Sequence, residues 1–139
     1  MNEQSKQVAV FACSGMGKPL GAVAREIGYE LTERVRPDAT VLTCLGLLVI
    51  GDPDARRLVT ENPVIAIDGC VKDCAKKSVE ANGAKNVTAC QAIDFFKKHN
   101  DLKPEGIAEL NEAGKKLAAL AADELADVVD ELLHKGGGK

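Results

Sequence analysis

Tryptophan is absent, and aromatic residues make up only 3% of the 139-residue chain. Basic residues are not in excess either: the net charge is −3, with 18 Lys and Arg against 21 Asp and Glu. A protein that grips nucleic acid needs cations for phosphates and rings for bases, so this composition argues against that class. Long hydrophobic runs are missing too. No stretch approaches the roughly 18 apolar residues expected of a membrane-spanning helix. The start, "MNEQSKQVAVFACSGMGK", holds a short apolar stretch before polar and glycine-rich sequence, which predicts no secretory leader. "VFAC" is too weakly supported by that stretch to serve as a lipoprotein cleavage box. The expected location is the cytoplasm, and membrane binding is not expected.

Hydrophobic residues make up 45% of the chain and charged ones 28%, as in a soluble globular protein. Five cysteines are present: Cys13, Cys44, Cys70, Cys74 and Cys90. Their odd number and the expected reducing compartment favour metal ligands, reactive thiols or buried filler over disulfides.

Apolar periodicity gives the outline. "QVAVFAC" predicts a first strand, and "SGMGKPLG" a glycine-rich turn with Pro19 near a helix start. Leu20, Val23, Ala24, Ile27, Leu31 and Val35 recur at helical spacing. "TVLTC" predicts a second strand that extends, in one reading, through "LGLLVIG". Asp52 and Pro53 supply an N-cap and first-turn proline for a short helix that Asn62-Pro63 ends. "VIAID" predicts a third strand, apolar enough for burial on both faces. A helix from about Cys70 to Ala81 follows, stopped by Asn82-Gly83. "KNVTAC" predicts a fourth strand and "AIDFFKKH" a fourth helix.

Strands alternating with helices imply an α/β fold: a three-layer α/β/α domain with a mostly parallel four-stranded sheet and right-handed crossovers. That domain covers residues 1–100, leaving 101–139 as a C-terminal helical extension with a flexible "GGGK" tail. Its stripe runs through Ile107, Leu110, Leu117, Leu120, Leu125, Val128, Val129, Leu132 and Leu133, with Gly114 as a point where it divides into two helices. The stripe either packs on the domain or makes a homodimer through the C-terminal helices.

Placed on this outline, all five cysteines fall at the C-terminal rim of the parallel sheet, where open α/β proteins bind ligands. Cys70 and Cys74, four apart, share a helix face near an N-terminus, a setting that favours thiolates. Cys13, Cys44, Cys70 and Cys74 make a candidate tetrahedral zinc site. Cys90 reads as buried filler or a fifth thiol. Asp68 reads as a local cap or turn former, or else as a base or a group supporting the site; Gly69 as a point of close backbone approach or positive φ; and Lys72, Lys76 and Lys77 as a solvated helix face that could offset the charge of a thiolate cluster. His99 and His134 lie far from the rim in sequence.

Three other chemistries lack their parts. A phosphatase-type loop after Cys13 needs an arginine where Pro19 and Leu20 stand. GxxxxGK[ST] is absent, and radical chemistry on a CxxxC motif needs a third cysteine where Lys77 stands. Two remain open beside zinc. One is a thiol enzyme acting on sulfur, selenium or disulfides, with Cys13 or Cys70 as nucleophile. The other is an iron–sulfur cluster.

"CSG" at Cys13, "CLG" at Cys44 and "IDGCVKDCAKK" over 67–77 resemble the DGC-domain family, named for the Asp-Gly-Cys motif that is Asp68, Gly69 and Cys70 here. The resemblance covers roughly residues 8–98. It implies zinc bound through Cys13, Cys44, Cys70 and Cys74, and leaves the biochemical role undefined. This chain has "CSGMGK" and "GLLVIG" where the family often shows "CSGxSN" and "AGIGG".

Overall fold

The computed structural model describes residues 7–13, 18–69, 72–106 and 109–137, with side chains to residue 134 in the last helix. Strand β1 is Val8–Ala12, β2 Thr40–Leu42, β3 Val64–Asp68 and β4 Val87–Gln91. They form one sheet in the order β2-β1-β3-β4, with every neighbouring pair parallel. The expected α/β class is therefore correct, and the order places β1 and β3, the most apolar strands, at the centre. Val8, Val10, Ile65 and Ile67 point to one face and Ala9, Phe11, Val64 and Ala66 to the other; all are fully buried. Period-two alternation with both sets apolar is what a strand covered on two sides requires.

Helices cover both faces. Helix α1, Pro19–Tyr29, has proline at its first position and buries Val23, Ala24 and Ile27. It runs on into a π-helical segment, Glu30–Val35, where the Arg36 N–H donates to the Leu31 carbonyl five residues back. The Thr32 hydroxyl donates to the Gly28 carbonyl at 2.8 Å, a side-chain bond of the kind that loosens the regular ladder. Helix α5, Ala92–Lys98, and helix α6, Glu112–Gly137, lie on the same side of the sheet as α1. The opposite face is covered by α2, Leu45–Val49, α3, Pro53–Glu61, and α4, Cys74–Ala81, through Leu48, Ala55, Val59, Ala75 and Val79. In α3 the Ala55 N–H donates to Asp52 Oδ2 at 3.0 Å, the expected N-cap.

Three expectations need correction. "LGLLVIG" does not extend β2: Leu45–Val49 is a short helix. Only Leu48 of that segment is buried, while Leu47, Val49 and Ile50 are exposed, so the run is apolar without being core. Helix α4 starts at Cys74 rather than near Cys70, because Asp73 has a left-handed backbone with φ of 57°. Gly114 does not divide the C-terminal stripe. It sits in the first turn of one continuous helix, where its N–H donates to the Asn111 carboxamide oxygen at 2.9 Å. A Cβ there would meet that oxygen at 2.9 Å and Leu110 at 3.0 Å, so glycine makes room for the cap.

Helix α6 is packed on the domain. Leu117, Ala118, Ala121, Ala122, Leu125 and Val129 are buried in the same core as α1, and the small alanines permit a close approach. Ion pairs flank that seam: Arg34 with Asp123, and Arg36 with Asp130 at 2.8 Å. Ile107, in the predicted stripe, lies outside the described residues. Among the described residues, no helix is long and apolar enough to cross a membrane.

Candidate functional site

Because the sheet is parallel, the chain leaves β1, β2 and β3 at one rim, and these three strands are neighbours. Cys13 is the residue after β1, and its N–H still donates to the Ile67 carbonyl of β3 at 2.8 Å. Cys44 follows β2 after a single residue and holds the N-cap position of α2 in extended backbone. Its side chain is exposed. A Cβ on Gly46 would stand 3.4 Å from Cys44 Sγ, so the glycine keeps that side of the thiol open. Cys13 and Cys44 line one cavity of about 350 Å³, with Leu42, Thr43, Arg25 and Tyr29 among the other walls.

Cys74 lies past the end of β3 as the first residue of α4, and is exposed. Its position is held by two carboxylates. Asp68, buried at the end of β3, accepts the Ala75 N–H on Oδ1 at 2.7 Å and the Lys76 N–H on Oδ2 at 3.1 Å. Those are two of the donors that a helix start leaves without intrahelical partners. Asp68 is thus a cap supplied from seven residues away, while Asp73, at the N-cap position itself, makes no side-chain cap bond. Asp73 instead accepts from Gln91 Nε2 at 2.7 Å, which ties the left-handed turn to the end of β4.

Gly69 has its expected role. A Cβ there would stand 2.5 Å from the Gly21 Cα and 2.7 Å from the Gly21 N, inside backbone atoms of α1. Only a residue without a side chain lets the β3 exit pass the start of α1.

Cys90 behaves differently. It is the penultimate residue of β4, opposite Ile67, and packs partly buried against the α1/α5/α6 core. Burial pushes its thiol up to about 12, and the negative charges of Asp68 and Asp94 add to that. Its surroundings hold it in the protonated, packed form. All four described cysteines are free of disulfides.

Cys70 lies outside the described residues. The expected Cys70–Cys74 pairing on one helical face is not made by α4, which begins only at Cys74. Cys13 and Cys44 are brought together, and Cys74 stands on the same rim. Among the described residues, no group of three or more His, Cys, Asp or Glu side chains is gathered closely enough to hold a metal ion. His99 Nε2 faces Glu124 Oε2 at 3.3 Å and belongs to the α6 seam; His134 is exposed on α6. Lys72 and Lys77 are exposed, as expected. Lys76 is half-buried and contributes its backbone N–H to Asp68.

The DGC-domain family model matches residues 9–125. The chain belongs to the DGC-domain family. The match runs into α6, well past the motif-bearing 8–98, so a large part of the helical segment lies within the family pattern. No curated protein and no solved structure matches this chain. The structure gives physical work to two letters of the DGC motif: Asp68 caps α4, and Gly69 admits α1.

Two wall residues escaped sequence reasoning. Arg25 and Tyr29 are four apart on α1, one step round from the buried stripe, and both reach the Cys13–Cys44 cavity. Helical spacing puts them on one face, but nothing in the sequence says that this face looks onto the rim.

Proposed function

We propose that this DGC-domain chain binds a thiophilic metal ion, zinc, through Cys13, Cys44, Cys70 and Cys74. The observation that carries the reading is the shared cavity of Cys13 and Cys44, two reduced cysteines from neighbouring strands that are far apart in sequence. The strand order supports it further, since the exit of β3 with the DGC motif adjoins β1. Thiolate sulfur is the donor that zinc favours, and Cys13, Cys44 and Cys74 are free of disulfides. Four protein ligands would close the metal to substrate and suit a structural or sensing role; three would leave a position open.

The test is metal analysis of protein purified without added zinc, alongside single Cys→Ser variants. Stoichiometric zinc is expected in the parent, with loss or sharp weakening in C13S, C44S, C70S and C74S and none in C90S. A well-folded, metal-free parent that gains no stability from added zinc would sink the reading.

A second reading has its own support. Cys44 is exposed, and Arg25 from α1 lines the same cavity. A guanidinium in that wall attracts an anionic sulfur substrate. As a thiol enzyme, the protein would use Cys13 or Cys70 as nucleophile and another rim cysteine as the resolving thiol. Alkylation rates near neutral pH separate the readings. A metal-bound set is slow until chelator is added, whereas a catalytic thiol outpaces a model thiol without one.

A further inference from the structure

A second cavity, of about 450 Å³, opens on the other side of the α1 start, and nothing above uses it. Its walls are mainly apolar: Pro19 and Leu20 from α1, Ile93 and Phe96 from α5, and Pro104 from the segment leading to α6. Gly69 also lines it, which places the cavity against the turn that carries the DGC motif. Two lysines complete the lining, Lys18 from before α1 and Lys103 from before α6. Both are exposed, and among the described residues no aspartate or glutamate lines the cavity.

The charges around it matter because the chain as a whole is acidic, with net charge −3. Five of its basic side chains have carboxylate partners: Arg34, Arg36, Arg57, Lys98 and Lys115. Among the described residues, the ammonium groups of Lys18 and Lys103 have none. They come from segments far apart in sequence, yet meet at one apolar hollow. A hollow of this size with a few convergent polar groups is the usual form of a small-molecule site. The apolar walls select a hydrocarbon body, and the two cations select an anionic end.

We propose that this cavity binds a small amphipathic monoanion, a carboxylate on an aliphatic body, with the chain against Leu20, Ile93 and Phe96 and the carboxylate between Lys18 and Lys103. The site is separate from the Cys13–Cys44 cavity and does not depend on metal.

Octanoate is the probe, titrated into the full chain and followed by amide chemical shifts, with octanol as the neutral analogue and inorganic phosphate as the bodiless anion. Octanoate is expected to bind saturably, moving the amides of Leu20, Ile93 and Phe96. Octanol should bind more weakly, and phosphate should neither move those amides nor compete. The exposed lysines can be changed without touching the core, so K18Q/K103Q should stay folded. It should bind octanoate roughly fivefold more weakly and octanol as before, the size expected for two exposed charge pairs. Absence of saturable octanoate binding overturns the proposal. So do equal affinities for octanoate and octanol, an unaltered octanoate affinity in K18Q/K103Q, or phosphate competition. Running the titration on zinc-loaded and metal-stripped protein keeps the two readings apart. Zinc retained without octanoate binding defeats this inference alone, and octanoate binding without zinc defeats only the metal site.

Discussion

On the β2–β1 side of the rim, Cys13 and Cys44 line an open cavity with Arg25 and Tyr29. On the β4 side, Cys90 packs against the α1/α5/α6 core, as Cys13 also does in part, but it does not line that cavity and its thiol is pushed up to about 12. Both sets sit at the C-terminal end of the same parallel sheet. The difference is one of position within the strand. Cys13 and Cys44 come after their strands have ended, where loops diverge, while Cys90 is still inside its ladder opposite Ile67. A residue within the ladder points to a helix-covered face, whereas one just past it can face the rim. Whether a cysteine of this rim lines the cavity therefore turns on one or two residues of strand length.

The harshest way to break the contrast is to remove the helix that completes the core against which Cys90 packs. Truncation after Asn100 strips α6 from Val23, Ile27 and Leu31, and takes Leu117, Leu125 and Val129 out of the core. Loss of cooperative unfolding is expected in a thermal melt, together with rapid alkylation of Cys90. A truncated chain that melts cooperatively would mean that residues 1–100 form a domain without it.

Next come the two residues that hold the rim between the two sets. Gly69→Ala forces a Cβ onto the Gly21 backbone, and about 1–3 kcal/mol of destabilisation is expected by denaturant titration. Asp68→Asn leaves one of two helix-start N–H groups without an acceptor at a buried site, costing about 1–3 kcal/mol. It also removes a negative charge that raises the Cys90 thiol, so Cys90 alkylation should set in at lower pH than in the parent. Unchanged stability in D68N would show that the cap is dispensable.

A gentler effect comes from alkaline pH. In the unfolded chain Cys90 loses its proton near 9, while in the folded protein it holds it to about 12. Above pH 9 the unfolded state thus binds fewer protons than the native one, and stability falls as pH rises through that window. C90A should flatten this slope, whereas C44A should not. The smallest change is expected from R36A, which removes an exposed ion pair with Asp130 on the α6 seam. A slight drop in Tm that disappears in high salt, with Cys90 still protected, is the expected result.

Much of this arrangement was legible in the residues themselves. Doubly apolar runs gave β1 and β3, Asp52-Pro53 gave the start of α3, and Asp68 and Gly69 declared a cap and a close approach. What stayed hidden depends on context. "LGLLVIG" is apolar enough for a strand, but so short a run does not reveal its period, and it became α2 with most of its apolar side chains exposed. The CxxxC spacing suggested one helical face, but the cap for α4 comes from Asp68, and a left-handed Asp73 precedes the first turn. Gly114 looked like a break because glycine often is one; here it answers crowding by Asn111 and Leu110. The meeting of Arg25 and Tyr29 with the thiols, and of Lys18 with Lys103, arises from packing between elements and leaves no local pattern.

The contact between Gly69 and Gly21 has a consequence for how such a rim tolerates guests. Peptide atoms touch peptide atoms there, so no rotamer exists to take up slack, and the gap between the β3 exit and the α1 start is as stiff as a gauge block. A guest of different size would have to be met elsewhere. The opposite side is that of Cys44, exposed beside a glycine at the head of a five-residue helix. Any adaptation would therefore be one-sided, since one wall is backbone against backbone and the other is an exposed side chain.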